Sequence, residues 1–133
     1  SAGNSGGEGI DYPAAEFGTQ PMNMSVGSVD LNDAKSAFSQ YSTALKLVAP
    51  GEGVFGPAPQ ERLAAWSGTS MSAPMVAGGL ALAMGTGVNG AQAAAALTST
   101  ATPIDGVSGN AAYTGKLGTG RLNLDAAITS LGH

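Results

Sequence analysis

The sequence predicts an α/β fold, part of a doubly wound, mostly parallel β-sheet with helices on both faces, incomplete in this chain. Two observations lead to this prediction. Short apolar strand candidates alternate with candidate buried helices, a pattern typical of a sheet covered on both sides. At most three strands can be recognised among the 133 residues, which is too few for a finished sheet of this type.

The composition indicates that another segment covers part of the surface. Charged residues make up 11% of the chain and 21 residues are Gly, whereas typical domains have about 25% charged residues and about 7% Gly. An independent small domain would carry more Lys and Glu on its surface. The net charge of −4 with only five Lys and Arg residues argues against nucleic acid, which requires a basic face. One His and no Cys argue against a zinc site, and no apolar run reaches the roughly 18 residues of a membrane-spanning helix.

The first half of the chain is predicted to consist of loops and short strands. Residues 1–23 are rich in Gly, Ser, Asn and Pro, which is typical of loop. Apolar runs predict buried strands at residues 22–30 and 44–51. Gly and Pro punctuate residues 51–66, which favours a hairpin.

Three helices are predicted in the second half, at residues 70–85, 89–102 and 121–131. The first is apolar on every face, which indicates burial inside a larger body. Asn89 and Asn123 have the side chains that commonly cap helices, and we predict that they cap the second and third helix. No internal repeat and no linker divide the chain, so residues 1–133 are predicted to belong to one domain.

A serine stands at the start of the first helix, in the segment Trp-Ser-Gly-Thr-Ser-Met-Ser-Ala-Pro-Met-Val-Ala-Gly at residues 66–78. Gly68 permits a sharp turn before Ser70, and the unpaired N–H groups of a helix N-terminus stabilise an oxyanion. These features suit a nucleophile. Spacing alone favours the commoner alternative, in which Ser70 only caps the helix. The Gly-x-Ser-x-Gly elbow of α/β-hydrolases is not met, because residue 72 is Ser.

The residue string is more specific than its spacing. Residues 68–78 resemble the nucleophile motif of the subtilisin-like serine proteases (subtilases), usually Gly-Thr-Ser-Met-Ala-x-Pro-His-Val-Ala-Gly. Further segments resemble motifs of this family in the family's order: Ser-Ala-Gly-Asn-Ser-Gly at 1–6, Tyr-Pro-Ala at 12–14, Val-Gly-Ser-Val-Asp at 26–30, Leu-Val-Ala-Pro-Gly at 47–51, and Gly-Thr-Gly-Arg-Leu-Asn-Leu-Asp-Ala-Ala-Ile at 118–128. The resemblance implies that residues 1–133 are the C-terminal half of a subtilisin-like catalytic domain.

The resemblance assigns catalytic roles to three residues. Ser70 would be the nucleophile of a serine endopeptidase that works through an acyl-enzyme. Asn4 would donate its side-chain amide to the oxyanion, beside the backbone N–H of Ser70, and Thr69 would support this oxyanion hole through its hydroxyl. A neutral amide suits the task because it does not titrate, and the loss of one such donor costs roughly 3–4 kcal/mol in the transition state. Without the other motifs, the segment around Asn4 would be read as an ordinary turn.

The resemblance also implies contacts with the substrate. Ser1, Ala2 and Gly3 would form one wall of the pocket for the residue that precedes the cleaved bond. Trp66 would lie on the leaving-group side, with core packing as the alternative. Asp11 precedes Tyr-Pro at a position that lies toward the pocket floor in the family, where a carboxylate would favour Lys or Arg in the substrate. Its alternative is a solvent-facing turn residue, the usual role of Asp in loops.

The chain lacks two motifs of the family. The catalytic Asp and His of subtilases lie upstream of the oxyanion Asn, and the only histidine here is the last residue, His133. We therefore expect an upstream half of the domain to supply both groups, and this chain alone to be nearly inactive. An alternative is a non-catalytic subtilase-like module, a pseudoprotease that binds peptides or a partner chain. An unrelated esterase would explain only the Gly-Thr-Ser stretch.

Further expectations concern two methionines, metal binding and localisation. Met75 replaces the family's usual, non-catalytic His and is expected to change packing only. Met71 follows the nucleophile, and its oxidation to a bulky sulfoxide predicts sensitivity to peroxide. The chemistry requires no cofactor and no metal ligands are assigned, although the family commonly binds structural calcium through backbone carbonyls. The family also implies protein or peptide substrates, a pro-segment and secretion, while the chain itself carries no signal-peptide pattern.

Overall fold

Two short parallel strands form the buried sheet of this structure, a computed structural model that describes residues 1–17, 20 and 22–133. Strand β1 (Val26–Val29) pairs in parallel with strand β2 (Leu47–Pro50). All residues of β1 and the first three of β2 are buried, as expected for a parallel sheet covered on both faces. Both predicted strands are confirmed, and both are shorter than predicted. The predicted loop at the N-terminus includes residues 18, 19 and 21, which lie outside the described part.

A hairpin follows the parallel sheet. Strand β3 (Val54–Ala58) pairs antiparallel with strand β4 (Arg62–Trp66), which confirms the predicted hairpin. Phe55 and Leu63, one on each strand, are both 75% exposed. The hairpin therefore stands away from the core.

Three α-helices occupy the second half of the chain: α1 (Thr69–Gly85), α2 (Gly90–Ser99) and α3 (Leu124–Ser130). Helix α1 contacts both strands of the parallel sheet and both other helices. Short 3₁₀ helices lie at Ala14–Phe17 and Ser108–Tyr113. The three predicted α-helices are thus present, and the parallel sheet beside them confirms the α/β fold class.

Asparagine side chains cap α2 and α3, as predicted. The Asn89 side chain accepts a hydrogen bond from the N–H of Gln92, and the Gln92 side chain accepts one from the N–H of Asn89. This reciprocal pair is a capping box. The Asn123 side chain accepts from the N–H of Ala126 in the same manner. Each cap satisfies an N–H group that the helix itself leaves unpaired.

Two helix boundaries differ from the prediction for a shared reason. Helix α2 ends at Ser99 rather than residue 102, and α3 starts at Leu124 rather than residue 121. Between them, Thr102 and Arg121 exchange backbone hydrogen bonds, each with an N–O distance of 2.8 Å. The backbone groups of these two residues are therefore taken by a pairing between distant segments, which local sequence signals do not reveal.

The core has one cluster on each side of β2. Leu47 and Ala49 belong to the cluster formed with the three helices, while Val48 belongs to a second cluster with Ala2 and Ile104. Successive side chains of a strand point to opposite faces of the sheet. The alternation along β2 thus places the helices on one face and the loop that begins at residue 1 on the other.

Apolar side chains on both flanks of α1 are exposed in this chain. Leu82 and Met84 are 55% and 45% exposed, whereas Val76 and Ala83 are buried. Burial of α1 inside a larger body stays a prediction. No single helix in the described part is long and apolar enough to cross a membrane; α1 and α2 together meet these criteria, but a 120° bend separates them.

Candidate active site

Three hydrogen bonds between distant parts of the chain join Gly3 and Asn4 to Thr69, the first residue of α1. Asn4 Oδ1 accepts from both the backbone N–H and the hydroxyl of Thr69, each at 2.9 Å. The Thr69 hydroxyl in turn accepts from the N–H of Gly3 at 3.3 Å. Thr69 is fully buried, so its side chain is a fixed support. These bonds hold Asn4 at the N-terminus of α1.

Ser70 is the second residue of α1 and is exposed. The cap position belongs to Gly68, and no side chain caps this helix end. The alternative that Ser70 only caps the helix is therefore wrong. As a residue of the first turn, Ser70 has a backbone N–H for which α1 offers no acceptor. Both its hydroxyl and this N–H are thus presented at the end of the helix.

Two hydrogen-bond donors border the same space beside Gly68. An ideal Cβ placed on Gly68 would lie 3.6 Å from Asn4 Nδ2 and 3.7 Å from the backbone N of Ser70. Because Thr69 occupies Asn4 Oδ1, the amide presents its Nδ2 donor to this space. Gly68 has a φ of 157°, a backbone conformation that residues with side chains rarely adopt, which explains why glycine stands there. Two fixed donors around one open position are suited to bind a developing oxyanion.

The N-terminal segment is tied to the loops around it by backbone hydrogen bonds. The N–H of Ala2 donates to Val26 O and the N–H of Asp11 donates to Ala2 O, both at 2.8 Å, while Gln40 donates to Gly3 O at 3.1 Å. Ala2 is fully buried. The segment that the resemblance assigns to a pocket wall is therefore held rigidly beside Asn4.

Asp11 directs its carboxylate at Gly3. An ideal Cβ on Gly3 would collide with Asp11 Oδ2 and with Gln40 Oε1, so both side chains end beside the Gly3 backbone. Asp11 is nevertheless exposed as a residue. One of its oxygens thus faces the predicted pocket wall, although solvent reaches the side chain.

Trp66 and His133 lie on the surface. Trp66 ends strand β4 and is 51% exposed, so it does not pack in the core of this chain. His133 is exposed beyond the end of α3. No group of three or more His, Cys, Asp or Glu side chains lies together within residues 1–17, 20 and 22–133.

A buried cation that the sequence does not predict lies near the loop that carries Gln40. Lys35 Nζ donates to the backbone oxygens of Ser36 at 2.9 Å and Ser39 at 2.8 Å, and it lies 4.7 Å from the ring centre of Tyr113. Burial lowers the pKa of Lys35 below its ordinary value, because desolvation disfavours the charged form. The ammonium group thus links the backbone of Ser36 to that of Ser39 within this loop. No local motif marks such a residue, since its partners are mainly backbone carbonyls.

Comparison with known proteins identifies the family. Residues 1–123 match the model of the Subtilase family, so the chain belongs to this family, as the motifs predict. It is 36% identical over 128 residues to thermitase of Thermoactinomyces vulgaris, covering 96% of the chain and 42% of thermitase. It is 43% identical over 82 residues to subtilisin BL of Lederbergia lenta, covering 62% of the chain and 29% of that protein. The chain thus spans less than half the length of these relatives.

Solved structures agree with this assignment. Patellamide maturation protease PatA matches 98% of the chain and 49% of its own length, with a TM-score of 0.83 and 28% identity. Prenylagaramide maturation protease PagA matches 98% of the chain and 48% of its own length, with a TM-score of 0.77 and 29% identity. The subtilisin-like fold is therefore confirmed over almost the whole chain.

Proposed function

We propose that the chain is the nucleophile-bearing half of a serine endopeptidase. One observation carries the proposal: Asn4 Nδ2 and the backbone N of Ser70 border one space, at 3.6 Å and 3.7 Å from the position of a Gly68 Cβ. A serine beside two fixed donors is the arrangement that acyl transfer requires. Membership of the subtilase family supports peptides as the substrate class.

In the proposed reaction, Ser70 Oγ attacks the carbonyl carbon of the scissile peptide bond and its proton passes to a histidine base. The carbonyl oxygen becomes an oxyanion that accepts hydrogen bonds from Asn4 Nδ2 and the Ser70 N–H. Collapse of the tetrahedral intermediate breaks the C–N bond, and the leaving amine takes the proton from the histidine. Water then attacks the acyl-enzyme by the same route and releases the second product. Thr69 takes no proton and serves to orient Asn4.

The histidine and its aspartate partner are proposed to come from an upstream segment. Two facts support this: the chain spans 42% of the length of thermitase, and the apolar side chains of Leu82 and Met84, on either flank of the buried face of α1, are exposed and would be covered by such a segment. A serine without a base is a poor nucleophile, so these 133 residues alone are expected to be nearly inactive.

Substrate preference is proposed to depend on Asp11. Its carboxylate lies beside Gly3 in the wall formed with Ser1 and Ala2, where it would attract Lys or Arg in the residue before the cleaved bond. Trp66, exposed at the end of β4, is proposed to contact the leaving-group side of the substrate. An Asp11→Ala variant should lower the ratio of kcat/KM for an Arg peptide to that for a matched Leu peptide. An unchanged ratio would reject this role.

Family membership supports three further proposals: secretion, a pro-segment, and structural calcium. The described residues hold no cluster of metal-ligating side chains, so a calcium site here would consist mainly of backbone carbonyls. A fall in the melting temperature of the intact protease on addition of a calcium chelator would support such a site. The same melting temperature with and without chelator would reject it.

Steady-state kinetics of the intact protease on a peptide substrate test the proposed function. Asn4→Ala should lower kcat by about 10²–10³-fold, because it removes one oxyanion donor, whereas Ser70→Ala should abolish acyl-enzyme formation. Asn32→Ala is the matched control, since Asn32 is an exposed loop residue whose replacement should leave kcat unchanged. Peptide binding without turnover by the intact, folded protein would favour the pseudoprotease alternative.

A further inference from the structure

Two polar side chains from different loops, Asp11 and Gln40, end beside Gly3. A Cβ on Gly3 would meet Asp11 Oδ2, Gln40 Oε1 and Gln40 Cδ. The φ angle of Gly3 is 121°, a backbone conformation that side-chain-bearing residues rarely adopt. The absence of a side chain at residue 3 therefore makes room for the ends of both polar groups.

Gln40 is the fixed member of this pair. Its side chain is 5% exposed, and its backbone N–H donates to Gly3 O at 3.1 Å. Its Oε1 also accepts from the N–H of Ser5 at 3.4 Å. Gln40 is thus attached through both its backbone and its side chain to the segment that carries Asn4, whereas Asp11 is exposed.

The two groups present oxygen atoms to the same small space. Both oxygens are acceptors, and neither can satisfy the other without a proton or a cation between them. Gln40 is buried and hydrogen-bonded, so its amide oxygen is the fixed group, and repulsion between the two oxygens limits the positions that the Asp11 carboxylate can take beside Gly3.

We propose that Gln40 is a positioning residue that sets the preference for a basic substrate side chain by holding the Asp11 carboxylate at the open side of Gly3. This inference rests on the proposed function, since it concerns the residue before the cleaved bond. It assigns no chemical step to Gln40, which acts only through Asp11. The pair should therefore behave as one unit in substrate selection.

A double-mutant cycle on the intact protease tests this unit. The measured quantity is the ratio of kcat/KM for an Arg peptide to kcat/KM for the matched Leu peptide. Gln40→Met keeps the length of the side chain and removes the amide, and it should lower the ratio about three- to tenfold, which lies in the lower part of the coupling range for neighbouring residues. In an Asp11→Ala background the same substitution should leave the ratio unchanged. Gln40→Ala should give the same two results, which would exclude an effect caused by the introduced Met side chain itself.

The control separates positioning from general damage to the loop. Ser39 is the buried neighbour of Gln40 and accepts from the N–H of Ser28 at 2.8 Å, so Ser39→Ala should lower stability but leave the ratio unaltered. An unchanged ratio in Gln40→Met, or an equal fall with and without Asp11, would overturn the inference. Turnover of the Leu peptide by the wild type keeps these outcomes distinct from failure of the proposed function, in which neither peptide is cleaved.

Discussion

Replacement of Thr69 by Val tests how the oxyanion donor is oriented. Valine has nearly the shape of threonine but no hydroxyl, so it removes the bond to Asn4 Oδ1 at 2.9 Å and the bond from the N–H of Gly3 at 3.3 Å. The backbone N–H of Thr69 still donates to Asn4 Oδ1 at 2.9 Å. Asn4 therefore keeps one of its two restraints.

The expected magnitude follows from these contacts. A net hydrogen bond contributes about 0.5–1.5 kcal/mol, and about 1.4 kcal/mol in the activation free energy changes a rate tenfold. We expect kcat to fall about three- to tenfold, well short of the 10²–10³-fold loss for removing a donor outright. Because Thr69 is fully buried and the Gly3 N–H loses its acceptor, the free energy of unfolding should also fall by about 1–3 kcal/mol.

The assay is turnover of a chromogenic peptide at saturating concentration by the intact protease, below the melting temperature of every variant. Thr98→Val is the matched control, since the Thr98 hydroxyl bonds only to carbonyls of its own helix, Ala94 O and Ala95 O. It should leave kcat unchanged. In an Asn4→Ala background, Thr69→Val should have no further effect on kcat. An unchanged kcat in the folded single variant, or a full second loss in the double variant, would refute this reasoning.

Three further predictions concern stability and are measured by denaturant unfolding of the chain. Asn89→Ala removes half of the capping box with Gln92 and should lower the free energy of unfolding by about 1 kcal/mol. An unchanged free energy of unfolding would contradict a stabilising role of this cap. Gly79→Ala should lower the free energy of unfolding by about 1–3 kcal/mol, because its Cβ would lie 2.5 Å from a leucine carbon of α3. Gly78→Ala is the matched control: its Cβ would meet nothing within 4 Å, so it should raise the free energy of unfolding by roughly 0.5–1 kcal/mol. Equal effects of the two substitutions would contradict the packing of Gly79 against α3. Burial lowers the pKa of Lys35 below 10.5 in the folded state. Between this lowered pKa and 10.5, the unfolded state binds more protons than the folded state, so the free energy of unfolding should rise as pH rises toward 10.5. Lys35→Met should remove that rise, and identical pH slopes in the two proteins would contradict it.

Local signals in the sequence predicted those parts of the fold that local interactions determine. Asn89 caps α2 through a residue three positions away, and a hairpin pairs neighbouring strands. The ends of α2 and α3 were not predictable in this way, because Thr102 and Arg121 are nineteen positions apart in sequence and pair only in the folded chain. Backbone pairing between distant segments leaves no local pattern to read.

The candidate site likewise has features that sequence motifs predict and features that only contacts between distant segments create. Motif order brought Ser70, Asn4 and Thr69 together as candidates, and the structure joins Asn4 to Thr69 through two hydrogen bonds. The position of Gln40 beside Asp11 could not be read from the sequence, since the two meet only across the backbone of Gly3. Spacing alone also favoured a capping role for Ser70, but Gly68 takes the cap position.

The central claim is that Ser70 is an activated nucleophile within a complete subtilase site. Labelling of the intact protease with a fluorophosphonate, followed by peptide mass mapping, tests it most directly, because the probe reacts with a serine that a base and an oxyanion hole activate. We expect one adduct on Ser70, which forms much more slowly in Asn4→Ala and is absent from Ser70→Ala. An intact, folded protein that carries no adduct on Ser70, or carries it on another serine, would contradict the account.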